Sequence, residues 1–529
     1  MSEFPQEKTL LKLGRCPFIK LIFSLTLITA SAILLTYPLI RMDDYFNPSI
    51  VNEKQRTSVP QFIFYIWYFE KALSEGYNPL KINIIQYPDG VTIFHDVITY
   101  TYSFTGGILN LFIKNLILTH NLLTLFFIIL TSLSIFIFLR NFKLNFLFSL
   151  FGSIVFISSP IYLWNVVLGH VNFYEFFYVP LIFIFLLNLE KTFTNVKNVI
   201  ILGALIGLQL LTSQEFSLYL FITILLFLFY KHKTIKGILK NNVFNIVIFL
   251  LIVFSFLSIY IYYLPQVDLN YFRKEYPGVL ESGSFNLKDF IYFHILPTPF
   301  ILPSVLYLIN KKKFPFLIFL YFFYWVYAFG IHFPIYIFLS KLIPLINSFI
   351  TPARILFFAF ILNSLFVSYF LQDLFDRIEI RKAFKTVIII VTLLMIIFIN
   401  RNEVRPLSYF NYFSEEKKFS VIYEKIKEMN GNFSIVELPL NERRPQDNLN
   451  IIYHEKNLVC GSTSYVSKSC KEFIKECGYG ELNFSNKNCL NLINNFNLKY
   501  VVYHNGKLSN QFLKEMMCVE NRCLYEIII

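Results

Sequence analysis

KNVIILGALIGLQLLTSQEFSLYLFITILLFLFYKHKTIKGILK, residues 197–240, decides how this chain must fold. Two apolar runs, 198–213 and 215–230, meet at Ser213-Gln214-Glu215. Lys197 closes one end, and Lys231, Lys233, Lys236 and Lys240 close the other. Each run approaches the ~20 residues that a helix needs to cross hydrocarbon. Open strands leave backbone groups unpaired in lipid, so the runs should be helices. Such a hairpin brings its basic ends to one side, and the positive-inside rule makes that side the cytoplasm. Glu215 then falls at the outer turn, where its charge calls for a polar cavity or a surface position.

The same pattern repeats in both directions. Of 529 residues, 56% are hydrophobic, 63 are Phe and 15% are charged, whereas soluble domains average about 45–50% apolar and about 25% charged residues. Further apolar runs cover 21–40, 119–139, 146–163, 173–189, 242–264, 291–309, 314–331, 352–372 and 386–400, which makes eleven spans. Lys8, Lys12 and Arg15 precede the first run and no small-residue cleavage site follows it, so it reads as an uncleaved first span. Alternating sides from there, every inner loop is basic: Arg140/Lys143, Lys191/Lys197, Lys231–Lys240, Lys311/Lys312/Lys313 and Arg377/Arg381/Lys382/Lys385. The apolar stretches 102–113 and 333–349 read as re-entrant or interfacial helices. A net charge of +13 suggests nucleic acid, but its distribution does not. Residues from 401 onward carry 17 Lys/Arg against 15 Asp/Glu, so +11 lies in the first 400 residues, clustered between apolar runs.

Residues 401–529 fall outside on this topology. FSIVEL (433–438), KYVVY (499–503) and CLYEIII (523–529) are β-branched and aromatic runs, separated by helix-forming stretches such as 415–429. Six of the seven cysteines, Cys460, Cys470, Cys477, Cys489, Cys518 and Cys523, crowd into this tail without a CxxC pair. That usage suits disulfides in an oxidising compartment, with 15 connectivities open and buried thiols as the alternative. Asn432 and Asn483 open Asn-Phe-Ser sequons. The expected fold class is an all-α polytopic membrane domain of about eleven transmembrane helices over 1–400, then a small external α/β domain over 401–529.

The outer loop 41–101 is long and rich in acids: Asp43, Asp44, Glu53, Asp89 and Asp96, with His95. Its middle, QFIFYIWYFEKAL (61–73), reads as an amphipathic helix lying on the membrane with Trp67 at headgroup depth. Asp43-Asp44 follow the first span at once. Trp67, Leu73, Gly76 and Asn78-Pro79 come next, then Tyr87-Pro88-Asp89-Gly90. This order resembles membrane glycosyltransferases of the GT-C fold, nearest to prokaryotic multispan proteins with an external C-terminal domain. Ser158-Ser159-Pro160-Ile161-Tyr162 with Gly169-His170-Val171-Asn172, Thr351-Pro352-Ala353-Arg354 and Val436-Glu437-Leu438-Pro439 extend the resemblance along the chain.

The resemblance implies transfer of a sugar from a polyprenyl-phosphate carrier in the membrane to a glycan, lipid or protein acceptor outside. It also implies a first-loop carboxylate as general base. A sugar hydroxyl is a poor nucleophile, and a carboxylate that takes its proton contributes roughly 10²–10⁴-fold. Asp43 and Asp44 are the candidates, with Asp43 favoured. Arg354, basic where the family has an Arg, is the choice for the carrier phosphate, since its fork of donors matches phosphate oxygens. His170, His95, Asp96, Glu215 and Tyr87 complete the substrate-binding candidates, and Arg273, Lys274 and Glu275 of the loop 265–290 face the same side. Spacing alone shows no metal site, no cofactor is called for, and nucleic acid is not an expected partner. A flippase for lipid-linked saccharides shares the many spans, but repeated halves are absent and the polar residues gather in outer loops. A non-catalytic envelope-assembly protein is the third reading.

Overall fold

The computed structural model describes residues 17–36, 59–92, 99–167, 169–263, 300–342, 352–378, 382–404, 412–440, 445–461, 467–478 and 480–528. Asp43, Asp44, His95, Asp96, Arg273, Lys274 and Glu275 lie outside the described residues.

Apolar runs become helices close to where the sequence places them, and short polar residues start them. Asn115 accepts from the Leu118 amide at 3.0 Å, Asn145 from Phe148 at 3.1 Å and Ser213 from Phe216 at 3.3 Å. Each cap satisfies an amide that the first turn cannot pair, worth about 1 kcal/mol. Among the described residues, Leu116–Asn141 and Pro352–Arg377, 26 residues each, are long and apolar enough to cross a membrane. Gln214–Tyr230 with His232–Asn241 makes a third if this pair, bent by 89°, is one span. The other apolar helices are shorter, among them Phe146–Ile157, Tyr178–Leu187, Val196–Thr212 and Pro315–Ala328. The expected span 146–163 breaks at Ser158-Ser159, and Pro160–Val167 resumes as a separate helix. Proline suits a helix start because its missing amide hydrogen would have no partner there.

Leu356–Arg377 packs on Phe146–Ile157, Ile301–Asn310 and Pro315–Ala328, and Leu116–Asn141 packs on Phe146–Ile157 and Tyr178–Leu187. The 61–73 segment differs from its expected surface position. It forms the helix Val59–Glu75, with Ile63, Phe64, Tyr65, Ile66 and Phe69 each 0% exposed. One side meets Tyr100–Ile113, where a Cβ on Gly107 would stand 2.7 Å from Phe69 Cβ. The other side meets Pro445–His454, Ile452 packing beside Val59 and Ile63. Aromatic residues all round this helix let it bury both faces, and it becomes the layer between the membrane helices and the C-terminal domain.

After it, β1 (Lys81–Ile82) and β2 (Val91–Thr92) pair antiparallel, Ile82 opposite Val91. The C-terminal sheet comprises β3 (Ser434–Leu438), β4 (Asn457–Val459), β5 (Leu498–Tyr503), β6 (Leu513–Val519) and β7 (Arg522–Ile527), in the order β4-β3-β5-β7-β6. β3 is parallel to β4 and β5, while β7 runs antiparallel to β5 and β6. Successive residues face opposite sides. Ile435 therefore joins the core under Tyr412–Glu428 and Pro445–His454, while Val436 joins the core under Lys468–Cys477 and Lys487–Asn495. Three disulfides, Cys460–Cys470, Cys477–Cys489 and Cys518–Cys523, pair the six cysteines in sequence order.

Candidate functional site

Glu215 occupies the first turn of Gln214–Tyr230, behind the Ser213 cap. A carboxylate is favoured there by the partial positive charge of the helix start. Its Oε1 accepts from the Tyr219 hydroxyl at 2.9 Å, one turn along the same helix. Its Oε2 accepts from Arg354 Nη1 at 2.6 Å.

Arg354 comes from the 3₁₀ turn Pro352–Ile355, which opens the long helix Leu356–Arg377. Its guanidinium carbon lies 5.4 Å from the centre of the Phe173 ring. Phe173 is in turn wedged against Phe357 at 4.4 Å and Phe216 at 5.0 Å between ring centres. The residues that follow Arg354 and Glu215 in sequence thus build the aromatic floor beneath their ion pair. Among the described residues, the hydrogen bond to Glu215 is the only one the Arg354 side chain makes. Its Nε and Nη2 hydrogens are unengaged among the described residues, and the side chain keeps 27% exposure.

His170 precedes the short helix Val171–Tyr174 and lies within electrostatic reach of Arg354. Asn165 donates its Nδ2 to Ile161 O at 2.7 Å, which turns its Oδ1 toward His170 Nδ1, 3.0 Å away. That arrangement places the imidazole proton on Nδ1 and leaves the Nε2 lone pair unengaged among the described residues. Gly169, with φ of +71°, makes the turn: a Cβ there would lie 2.4 Å from Val59 Cγ2. The turn therefore rests on the start of Val59–Glu75, the first described helix of the long loop.

Three of the expected residues, His170, Glu215 and Arg354, are brought together from segments far apart in sequence. Tyr87 stands apart from them, its backbone amide donating to Leu458 O at 3.1 Å and its ring on the C-terminal core. The reading of the sequence missed Phe173 and Tyr219, although Tyr219 sits four residues after Glu215 on one helix face. It also missed Glu175, fully buried within the apolar run 173–189, where an acid is itself a signal. Glu175 Oε2 accepts from Thr101 Oγ1 at 2.9 Å, and Thr101 Oγ1 lies 2.8 Å from Thr212 Oγ1. Among the described residues no group of three or more His, Cys, Asp or Glu is arranged to hold a metal ion.

No protein-family model and no curated protein sequence matches the chain. Solved structures do. The chain aligns with the archaeal oligosaccharyltransferase AglB from Archaeoglobus fulgidus in complex with an inhibitory peptide and a dolichol-phosphate, with TM-score 0.53 and 10% identity over 92% of this chain and 69% of that one. The apo form of the A. fulgidus enzyme gives 0.54 and 10% identity over 91% and 69%. The form tethered to an acceptor peptide containing an NVT sequon gives 0.52 and 10% identity over 91% and 68%. The chain thus shares the fold of the archaeal oligosaccharyltransferase over most of its length, C-terminal domain included.

Proposed function

We propose that this chain is a membrane glycosyltransferase that moves a glycan from a polyprenyl-phosphate carrier to an acceptor on the external face. The observation that carries this reading is the Arg354–Glu215 pair with His170, gathered beside an aromatic floor in a GT-C fold. The dolichol-phosphate and the acceptor peptide bound to its structural neighbours agree in kind with a lipid-linked donor and a peptide acceptor. The shorter apolar helices complete a set of eleven spans, with the N-terminus cytoplasmic and the disulfide-bearing domain outside.

In the proposed reaction, the acceptor nucleophile attacks the anomeric carbon as the bond from that carbon to the phosphate oxygen breaks. The departing phosphate takes the bonding electrons, and Arg354 stabilises the charge that gathers on its oxygens. Donors placed for developing charge are worth ~10²–10³ in rate each. Asp43 or Asp44 takes the proton of the acceptor. Glu215 holds the guanidinium in place through Nη1, Tyr219 holds Glu215, and His170 Nε2 accepts a hydrogen bond from a hydroxyl of the donor sugar. His95 and Asp96 complete the proposed substrate contacts from the same loop, whereas Tyr87, held on the C-terminal core, is not among them.

Membranes carrying the protein are to be given radiolabelled polyprenyl-phosphate sugars with peptide, glycan and lipid acceptors. Transfer is expected with wild type and loss of at least 100-fold with Asp43→Ala/Asp44→Ala. Equal transfer by both forms removes those aspartates from catalysis. Equal transfer by Arg354→Gln as well removes the reading of this site.

A further inference from the structure

The turn that links β1 to β2 makes its contacts in another part of the molecule. Ile84 O accepts from Leu458 N at 2.8 Å, and Leu458 O accepts from Tyr87 N at 3.1 Å. Ile85 and Leu458 form a parallel bridge. β4 is one edge of the C-terminal sheet, so residues 84–87 add to that edge as a further short strand. Exposed sheet edges accept extended segments in this way because their backbone groups otherwise lack partners.

Side chains extend the join beyond backbone pairing. Gln86 is 1% exposed. Its Oε1 accepts from Ser467 N at 2.5 Å, and its Nε2 donates to Gly461 O at 3.3 Å. Asp89 accepts from Ser469 N and Ser469 Oγ, both at 2.9 Å, at the start of Lys468–Cys477. A carboxylate beside a helix start gains from the unpaired amides there. The receiving surface has two halves, the Leu458–Gly461 strand end and the Ser467–Ser469 helix start, and the Cys460–Cys470 disulfide ties them together. A second join lies alongside: Glu455 accepts from Lys71 at 2.5 Å and from Lys427 at 2.6 Å. Partial burial alone raises the Glu455 carboxyl, but hydrogen bonds from Lys427 and Lys71 outweigh it and hold the group below the usual carboxylate range.

We propose that the Ile84–Asp89 turn is a clasp through which the C-terminal domain sets the position of the long first loop, with Gln86 and Asp89 as positioning residues and the Cys460–Cys470 disulfide maintaining the clasp's receiver. The clasp reaches the site region through Val59–Glu75: Tyr68 OH donates to Lys81 O at 2.7 Å, just before the turn, and Val59 underlies the Gly169-His170 turn. The domain thus acts on the chemistry without touching the substrate, and this consequence for activity rests on the function proposed above. The clasp itself rests on the contacts alone.

The test uses the full chain in lipid nanodiscs and reads backbone hydrogen exchange at residues 84–90. Gln86→Ala/Asp89→Ala and Cys460→Ser/Cys470→Ser are each expected to speed that exchange at least tenfold. Cys518→Ser/Cys523→Ser, at the opposite edge of the sheet, is expected to leave it unchanged, and Asp89→Asn, which keeps one acceptor oxygen, is expected to be intermediate. Unchanged exchange in Gln86→Ala/Asp89→Ala, or equal acceleration in the opposite-edge control, overturns the clasp. In the transfer assay, Asp89→Ala is expected to lower kcat about tenfold, with KM for the lipid-phosphate sugar and the unfolding temperature unchanged. An unchanged kcat beside accelerated exchange overturns the positioning role. If wild type transfers nothing, the functional reading fails while the exchange data still decide the clasp.

Discussion

Glu215 and Glu437 are both nearly buried carboxylates facing a basic side chain, yet they end differently. Glu437, on β3, accepts from His504 Nε2 at 2.7 Å, from Asn450 Nδ2 at 3.1 Å and from the Tyr423 hydroxyl at 3.3 Å. Arg522 then donates to that hydroxyl at 3.2 Å. Every basic group in this cluster points inward and already has its acceptor. Its contacts tie Tyr412–Glu428 and Pro445–His454 to the sheet. Glu215, by contrast, holds Arg354 by a single nitrogen, and the rest of the guanidinium stays unengaged among the described residues. A network in which each basic group already has its acceptor fixes a fold, whereas a cation held by one corner remains able to bind something else.

Arg354→Ala breaks that comparison most severely, because it removes the cation and leaves Glu215 buried without a charge partner. A loss of at least 100-fold in transfer is expected with about 3–5 kcal/mol of stability. The double change Arg354→Met/Glu215→Met separates the two effects. Removing both charges is expected to return most of the stability in denaturation curves while transfer stays absent. Recovery of transfer along with stability contradicts a phosphate-binding role.

Glu437→Ala attacks the second cluster and leaves His504, Asn450 and Tyr423 without their shared acceptor. We expect a loss of about 2–4 kcal/mol in stability, read from chemical denaturation followed by near-ultraviolet signals of the C-terminal domain. Transfer per folded molecule is expected to hold near wild type. A loss of transfer at full stability places Glu437 in the chemistry instead.

His454 sharpens the picture from the side of pH. Burial, with Lys456 nearby, pushes its imidazole down to about 3, and Nδ1 accepts from the Lys456 amide at 2.9 Å. The folded domain keeps this ring neutral while the unfolded chain protonates near 6.5. Stability is therefore complete above about pH 6.5 and falls as pH drops toward 3, with a slope of up to ~1.4 kcal/mol per pH unit. His454→Asn is expected to flatten this slope in acid denaturation, and an unchanged slope counts against a buried neutral ring. The smallest effect belongs to Tyr219→Phe, which removes one bond to Glu215. About 1 kcal/mol of stability and a modest fall in transfer are expected from the same two assays.

Much of this was legible along the chain, because bilayer physics writes itself into local sequence. Apolar runs between basic loops located the helices near their ends, and β-branched stretches located β3, β5 and β7. The short strands β4 and β6 escaped, since three residues of Asn457–Val459 carry little periodicity and Leu513–Val519 alternates poorly. The disulfide connectivity escaped too, because pairing depends on Cα separations that only the folded sheet sets. In the site, His170, Glu215 and Arg354 were legible as polar residues at the edges of apolar runs. Phe173, Tyr219 and Glu175 were not separated from the many aromatics and spans around them. The layer formed by Val59–Glu75 was misjudged for a physical reason: an aromatic helix looks alike whether lipid or protein covers it.

The central claim is the proposal that the Arg354 donors left unengaged among the described residues bind the phosphate of the lipid carrier. Binding of a short-chain polyprenyl phosphate to the full-length protein in detergent, measured by calorimetry, tests it most directly. Arg354→Gln/Glu215→Gln, which leaves no unpaired charge, is expected to raise Kd at least tenfold relative to wild type, while Glu437→Gln leaves Kd unchanged. Equal Kd for wild type and Arg354→Gln/Glu215→Gln contradicts the account.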